Sequence, residues 1–234
     1  MKLPSHYQGV LLKEYGKPLV LESLPMPAVP RGHVLVQMAA APINPSDLVF
    51  VRNLYGIRKT LPVTPGFEGS GVVVAGQGFV GKSLIGRRVA CRAPQSGHGT
   101  WAEYMLCPWS ACIPLLPSVS LEAGATALVN PLTALALLQL AKSRGHQAIL
   151  QSAAGSAVGR MIGRLAREKR IQIVHIVRRS DHKKALEDDG ESHVIDSSAD
   201  DFERQLVDSC QRWRIRLALE IGRASCRERV CLYV

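Results

Sequence analysis

One stretch in the second half of the chain limits the possible folds more than any other. It reads "QAILQSAAGSAVGRMIGRLAREKRIQIVHIVRR", from Gln147 to Arg179. "AILQSA" is a short apolar run with the length and composition of a buried strand. "GSAVG" is a tight turn of small residues. "RMIGRLAREK" has helical spacing, with Met161, Ile162 and Leu165 on the inward face and Arg160, Arg164 and Arg167 on the outward one. "IQIVHIV" is a second strand. Strand, glycine turn, helix and strand make a βαβ unit, which requires a parallel sheet and a right-handed crossover. The alternation then continues. "KKALEDDGESHVID" predicts a helix and a short strand, "DDFERQLVDSC" a helix, and "RLALE" a fourth strand. The fold class is α/β.

The first half reads differently. "GVLLKEYG", "LVLESLPMP", "GHVLVQMAAAPIN", "EGSGVVVAGQG" and "GRRVACRA" are short strand-like segments with glycines at the corners. Val34, Val36 and Met38 alternate with Leu35, Gln37 and Ala39, which predicts a strand with one more polar face. Proline is frequent up to Pro131 and absent afterwards. From Ser120 the pattern turns helical, with Ser120 as N-cap and Pro131 expected to break or kink the run. The expected organisation is a β-domain over 1–119 and a partial doubly wound domain over 120–220.

Composition excludes several classes. Apolar content of 47% over 234 residues marks a globular chain with real cores. No apolar run approaches the ~20 residues of a membrane span. The N-terminus has an early proline, no apolar signal core and no arginine before Arg31, so a cytoplasmic protein is expected. The six cysteines form no Cys-x-x-Cys pair and have no histidine at ligand spacing, which argues for buried or incidental thiols and against zinc or a disulfide framework. The net charge of +10 is dispersed without aromatic interleaving, so no nucleic-acid partner is implied. A phosphate-bearing small molecule accounts for the basic region from Arg160 to Lys184 equally well.

The small-residue turn supplies the first candidate site. It follows a buried strand and opens a helix, so the backbone N–H groups of Gly155, Ser156, Ala157 and Val158 can face a pyrophosphate at the positive helix end. Gly159 lets the helix approach the strand. Arg178 stands at the end of the next strand, 19 residues beyond Gly159, followed by Arg179 and Ser180. An acidic residue there would accept from a ribose 2′-OH. Paired guanidiniums favour a 2′-phosphate, hence NADPH, unless they are simply a solvated basic turn.

A second candidate lies in "INPSDLVFVRNLYG", Ile43 to Gly56. A turn-forming Asn-Pro-Ser-Asp runs through an apolar stretch to Tyr55, beside a glycine bend. Either Tyr55 packs in a core or interface, or its phenol enters a cleft.

Taken together, "AAPINPSDL", "PGFEGSGVV", "GTWAEY", "LVNPLTALALL" and "QSAAGSAVGRMIGRLA" resemble the zinc-free medium-chain dehydrogenases/reductases, in that family's order over about residues 8–220. The nearest likeness is to the 2-enoyl thioester reductases, with the NADPH:quinone oxidoreductases second. The resemblance implies a GroES-like β-domain followed by a partial Rossmann domain, and a homodimer in the full-length form. Zinc-dependent relatives carry a cysteine near the position of Asn44 and a histidine in a Gly-His-Glu. Here the residues are Asn44 and Gly66-Phe67-Glu68, so no metal is expected. The resemblance also implies Tyr55 as proton donor, and cofactor contacts from Asn130, from the turn at Gly155 to Val158, and from Arg178 to Ser180. Ala157 stands where many relatives have glycine. The implied reaction is hydride transfer from NADPH to the β-carbon of an α,β-unsaturated thioester, with the phenol serving the enolate. Quinone reduction would use the same cofactor site and need less from Tyr55. A non-catalytic nucleotide-binding relative is the third reading.

The last residues break the pattern. "IGRASCRERV", Ile221 to Val230, looks like a translated sequencing adapter, so 221–234 is expected to be a non-native tail. It carries a net +2, and the chain without it stays basic at +8. The expectation that follows is a literal chain lacking the far side of its sheet and therefore poorly soluble or inactive.

Overall fold

The computed structural model describes residues 3–221 and the backbone of Val230–Cys231. The expected tail therefore lies outside the described residues, apart from Ile221 and that two-residue backbone. The chain divides into two compact units, the first ending at Val129 and the second beginning at Asn130. No helix among the described residues is long and apolar enough to cross a membrane.

In the first unit, β1 (His6–Leu11) and β2 (Val20–Pro25) form an antiparallel hairpin. A second, five-stranded antiparallel sheet holds β3 (His33–Ala40), β4 (Glu68–Gly76), β5 (Arg88–Arg92), β6 (Tyr104–Pro108) and β7 (Cys112–Pro114), in the order β6-β3-β4-β5-β7. The period of two in β3 sorts its side chains correctly, but its second face is not polar. Val34, Leu35 and Val36 are all fully buried. Val34 and Val36 join Val73, Val89 and Met105 in one core. Leu35 points the other way, into a cluster with Tyr7 and Tyr104, whose rings meet edge-on at 5.7 Å. Tyr7 and Leu24 come from the β1–β2 hairpin, which covers the face that alternation alone assigns to water. Cys91, Cys107 and Cys112 are buried free thiols in this unit, as expected of incidental cysteines.

The described residues of this unit also form three short α-helices, α1 (Pro45–Val51), α2 (Gly78–Ser83) and α3 (Leu121–Ala125), and a 3-10 turn at Trp109–Ala111. Ser120 caps α3 as expected, its Oγ accepting from the Ala123 N–H at 3.1 Å. The sequence reading opens the second domain at 120, yet residues 120–129 fall in the first unit. The reason is tertiary. The Ser70 hydroxyl on β4 donates to the Leu121 carbonyl, and the Glu68 carboxylate accepts from the Leu128 and Val129 N–H groups.

All of α4 (Val129–Ser143) but its first residue belongs to the second unit. Pro131 lies in its first turn, where the missing N–H costs nothing, and the helical run breaks upstream of it, between α3 and α4. Then follow β8 (Ala148–Gln151), α5 (Ala157–Glu168), β9 (Gln172–Val177), α6 (Ser180–Asp188), β10 (Val194–Asp196), α7 (Phe202–Trp213), β11 (Ala218–Leu219) and β12 (Val230–Cys231). The sheet order is β10-β9-β8-β11-β12, with the first four strands parallel and β12 antiparallel to β11. By strand number within the unit this is 3-2-1-4, the order of a doubly wound nucleotide-binding sheet, and the order reverses between β8 and β11. Leu138, Ile149 and Ile162 are fully buried in the core between helices and sheet. Each contributes about 1.5–3 kcal/mol, so packing of α5 on the sheet holds the βαβ unit far more firmly than helix propensity does. Arg160, Arg164 and Arg167 lie on the exposed face of α5, as its spacing predicts.

Candidate active site

The Asn-Pro-Ser-Asp segment builds the start of α1. Asn44 is the N-cap, Pro45 occupies the first helical position, and the Asn44 N–H donates to Asp47 Oδ2 at 2.7 Å. Asp47 is fully buried, and its other oxygen accepts from the Phe67 N–H at 3.1 Å. Burial pushes the Asp47 carboxyl up to about 6 despite these two donors, and the nearby Glu68 charge adds to the rise. The Asn44 side chain donates from Nδ2 to Glu68 Oε1 at 3.0 Å. Glu68 is itself 1% exposed, and its second oxygen takes the Leu128 and Val129 N–H groups at 3.1 and 2.9 Å. The two buried carboxylates thus receive five hydrogen bonds between them.

These residues do not fit a zinc ion. Phe67 offers no ligand atom, the Asn44 amide is spent on Glu68, and Glu68 is spent on the Asn44 amide and two backbone donors. Among the described residues, no cluster of three His, Cys, Asp or Glu side chains could hold a metal.

Past α1 the chain turns through Asn53 at φ 59°, with its N–H on the Phe50 carbonyl at 2.9 Å. Asparagine tolerates this left-handed conformation. The turn delivers Tyr55, half-buried, onto Phe67, with ring centroids 5.4 Å apart. Phe67 in turn meets Phe50 edge-on at 5.5 Å, and Phe50 meets Tyr15 at 5.7 Å. The same stretch of chain carries exposed apolar residues: Ile43, Leu48, Leu54 and Ile57. Lys59, four residues on, donates from Nζ to the Gly97 carbonyl at 3.0 Å, and burial lowers it to about 8. No local pattern marks Lys59. A cavity of about 460 Å³ also opens in this unit, lined among others by Tyr7, Leu24, Met26, His98 and Leu106, and Tyr55 does not line it.

The remaining predicted residues belong to the second unit. Asn130 is in the first turn of α4, half-buried. The turn after β8 enters α5 through Ser156, whose Oγ accepts from the Gly159 N–H at 3.1 Å. Ala153 adopts φ 48°, and its carbonyl accepts from the Ser156 N–H at 2.9 Å. Two of the N–H groups around the turn are therefore already used within it. Among the described residues, nothing accepts from those of Gly155, Ala157 and Val158. The two glycines differ. A Cβ at Gly159 would lie 2.5 Å from the Ala154 carbonyl oxygen, so the turn itself demands glycine there. A Cβ at Gly155 would meet nothing closer than His182, at 3.6 Å.

Arg178, Arg179 and Ser180 follow the neighbouring strand β9. The expected pair of guanidiniums becomes a single available one. Arg179 is held by Asp181, with Nε to Oδ1 at 3.0 Å and Nη2 to Oδ2 at 2.6 Å. Arg178 is exposed and has no hydrogen bond or ion pair among the described residues. His182, in the first turn of α6, stands beside Gly155 and was not singled out by sequence. Only the strand order brings it to the turn.

An antiparallel β-unit followed by a 3-2-1-4 parallel sheet with a glycine turn is the architecture of the two-domain, dinucleotide-dependent dehydrogenases and reductases. The comparisons with known proteins agree. Residues 30–118 match the alcohol dehydrogenase GroES-like domain. The mitochondrial enoyl-[acyl-carrier-protein] reductase of Rattus norvegicus is 32% identical over 202 residues, covering 82% of this chain and 53% of the relative. Among solved structures, a candidate NADPH:quinone reductase from Mesorhizobium loti superposes with a TM-score of 0.86 at 35% identity, covering 94% of this chain and 68% of the other. The quinone oxidoreductase of Thermus thermophilus, also solved in complex with NADPH, gives 0.73 at 28% identity, covering 92% and 66%. The chain belongs to the medium-chain dehydrogenase/reductase superfamily, in its zinc-free branch. It spans about half the length of the curated enoyl reductases it matches.

Proposed function

We propose that the chain is part of an NADPH-dependent, zinc-independent reductase of α,β-unsaturated thioesters, with Tyr55 as its catalytic phenol. The observation that carries this reading is the contact of Tyr55 with Phe67. Phe67 stands where zinc-dependent members of the superfamily carry a ligand histidine, which supports a phenol taking over the part of the Lewis acid. A hydroxyl there can hydrogen-bond a developing enolate oxygen or supply the α-proton. The exposed Ile43, Leu48, Leu54 and Ile57 give the same segment an apolar surface suited to an acyl chain.

NADPH, when bound, supplies the hydride. The chain's part is to hold and orient it. The N–H groups of Gly155, Ala157 and Val158 suit the pyrophosphate, with Ser156 and Gly159 shaping the turn. Arg178, Ser180 and His182 suit a 2′-phosphate, with Arg179 in reserve behind its Asp181 pair. Asn130 is assigned a cofactor contact through the family resemblance.

A second reading, reduction of quinones, is favoured by the 35% identity to the Mesorhizobium loti structure. The test uses protein expressed from the native locus with crotonyl-CoA and with a benzoquinone. Tyr55→Phe should slow crotonyl-CoA reduction by about 10²-fold or more and leave NADPH affinity unchanged. Turnover of the quinone alone transfers the assignment to the second reading. Failure to bind NADPH defeats both and leaves a non-catalytic relative.

A further inference from the structure

Beneath the glycine turn runs a row of polar side chains that the proposed function does not use. Gln151, the last residue of β8, is fully buried, and its Nε2 donates to the Gly159 carbonyl at 3.0 Å. The same nitrogen is 2.8 Å from His175 Nδ1 on β9. His175 is 1% exposed, and its Nε2 is 3.0 Å from Glu191 Oε2. Arg167 of α5 reaches Glu191 Oε1 at 3.4 Å and donates to the Asp189 carbonyl at 2.9 Å. Gly163 makes the room: a Cβ there would lie 2.6 Å from Glu191 Oε1 and 3.2 Å from His175 Cε1. A row of this kind is costly to desolvate, and apolar residues of equal volume would pack a sheet at least as well. It also leaves one buried atom, Gln151 Oε1, without a partner among the described residues.

We propose that Gln151 is a positioning residue for the glycine turn, and that His175 decides which end of the Gln151 amide faces Gly159. With His175 neutral, its Nε2–H donates to Glu191, and its Nδ1 lone pair accepts from Gln151. The amide nitrogen is then held toward the Gly159 carbonyl. A proton on Nδ1 sets donor against donor across 2.8 Å. Turning the amide over relieves this and gives the orphaned oxygen a partner. It also places an oxygen about 3 Å from the Gly159 carbonyl oxygen, which loses its side-chain donor and meets a like dipole. The turn is then released.

The surroundings set the direction. Burial holds His175 below the ordinary imidazole value, while the Glu191 charge and hydrogen bond oppose that and the Arg167 and His193 charges add to it. His193 also touches β9 through its carbonyl, which accepts the His175 N–H at 2.8 Å. The neutral, turn-holding form is therefore the one present near neutral pH, and release comes on acidification.

The consequence for cofactor affinity rests on the dinucleotide reading above; the consequence for the turn does not. The test follows the His175 ring nitrogens by NMR from pH 8 downward, without ligand, together with amide exchange protection at Gly159, Arg160 and Gly163. Protection should fall about three- to tenfold as His175 takes up its proton. Gln151→Leu should show the low protection at every pH. His175→Asn, which cannot titrate, should lose the pH dependence while the turn stays ordered. Flat protection through the His175 titration overturns the proposal, as does a His175 that stays neutral until the protein unfolds. NADPH titration over the same range separates the two readings. No NADPH binding with the expected exchange profile defeats the cofactor assignment and keeps this one. Binding whose strength ignores pH, with flat exchange, does the reverse.

Discussion

Alanine at Gly155 and alanine at Gly159 should have opposite effects, because the fold requires only one of these glycines. At Gly159 the added Cβ would lie 2.5 Å from the Ala154 carbonyl oxygen and 2.8 Å from that of Ala153. Ordinary contact begins at 3.4 Å, and both obstacles are backbone, so the turn itself must open. Overpacking of this kind costs about 1–3 kcal/mol, while the better helix propensity of alanine returns about 1. A net loss on the order of 1–2 kcal/mol lowers Tm by roughly 5–10 °C in a unit of about 100 residues. At Gly155 the nearest atom is 3.6 Å away, so alanine should be neutral or stabilising by about 0.4–1 kcal/mol. Its methyl would nevertheless sit against His182, on the turn that carries the three open N–H groups. If a pyrophosphate seats there, NADPH should bind at least about tenfold more weakly, a loss of about 1.4 kcal/mol or more. Thermal melts by circular dichroism and NADPH fluorescence titrations on both variants give the answer. The reasoning is refuted if Gly155→Ala melts as low as Gly159→Ala, or if it binds NADPH as tightly as the parent.

Two further outcomes follow from single residues. Arg178→Ala should weaken NADPH about 10- to 100-fold and leave NADH unaffected, and equal losses for both would remove Arg178 from the 2′-phosphate. For Asp47, the folded value of about 6 exceeds the ordinary 3.8, so between these values the folded state keeps a proton that the unfolded chain has released. Its contribution to stability is therefore greatest at acid pH, falls as pH rises from about 4 to 6, and is level above that, a change on the order of 2–3 kcal/mol. Urea unfolding across that window should show this slope in the parent and not in Asp47→Asn; an unchanged slope in the variant assigns the titration to another group.

Much of the second unit could be read directly from its residues. Small side chains between an apolar run and a helical repeat have few ways to pack, so the βαβ unit and its turn follow from local spacing. The inward and outward faces of α5 followed for the same reason. The first unit was less legible. Its strands are short, β6 and β7 carry no distinct alternation, and Leu35 is buried by a hairpin more than ten residues away. Arg179 shows a different failure. Its partner Asp181 is only two residues on, but two adjacent arginines read as a pair until the backbone shows which of them bends toward the carboxylate.

By itself the sequence determined the α/β class, the glycine turn, the helix cap at Ser120, and the absence of a cysteine at Asn44 and of a histidine at Phe67, whereas the helix that Asn44 caps was read only as a turn. These depend on residue type and on spacings within a few positions. Only the tertiary structure decided that Asn44 donates to Glu68, 24 residues away, that Tyr55 rests on Phe67, and that His182 stands beside Gly155. It also decided that Gln151, His175 and Glu191 form one buried row. The physical reason is register. Which polar atoms meet across a sheet depends on how strands slide and which helix covers them, and a buried polar group must find its partner there, whatever its neighbours in sequence.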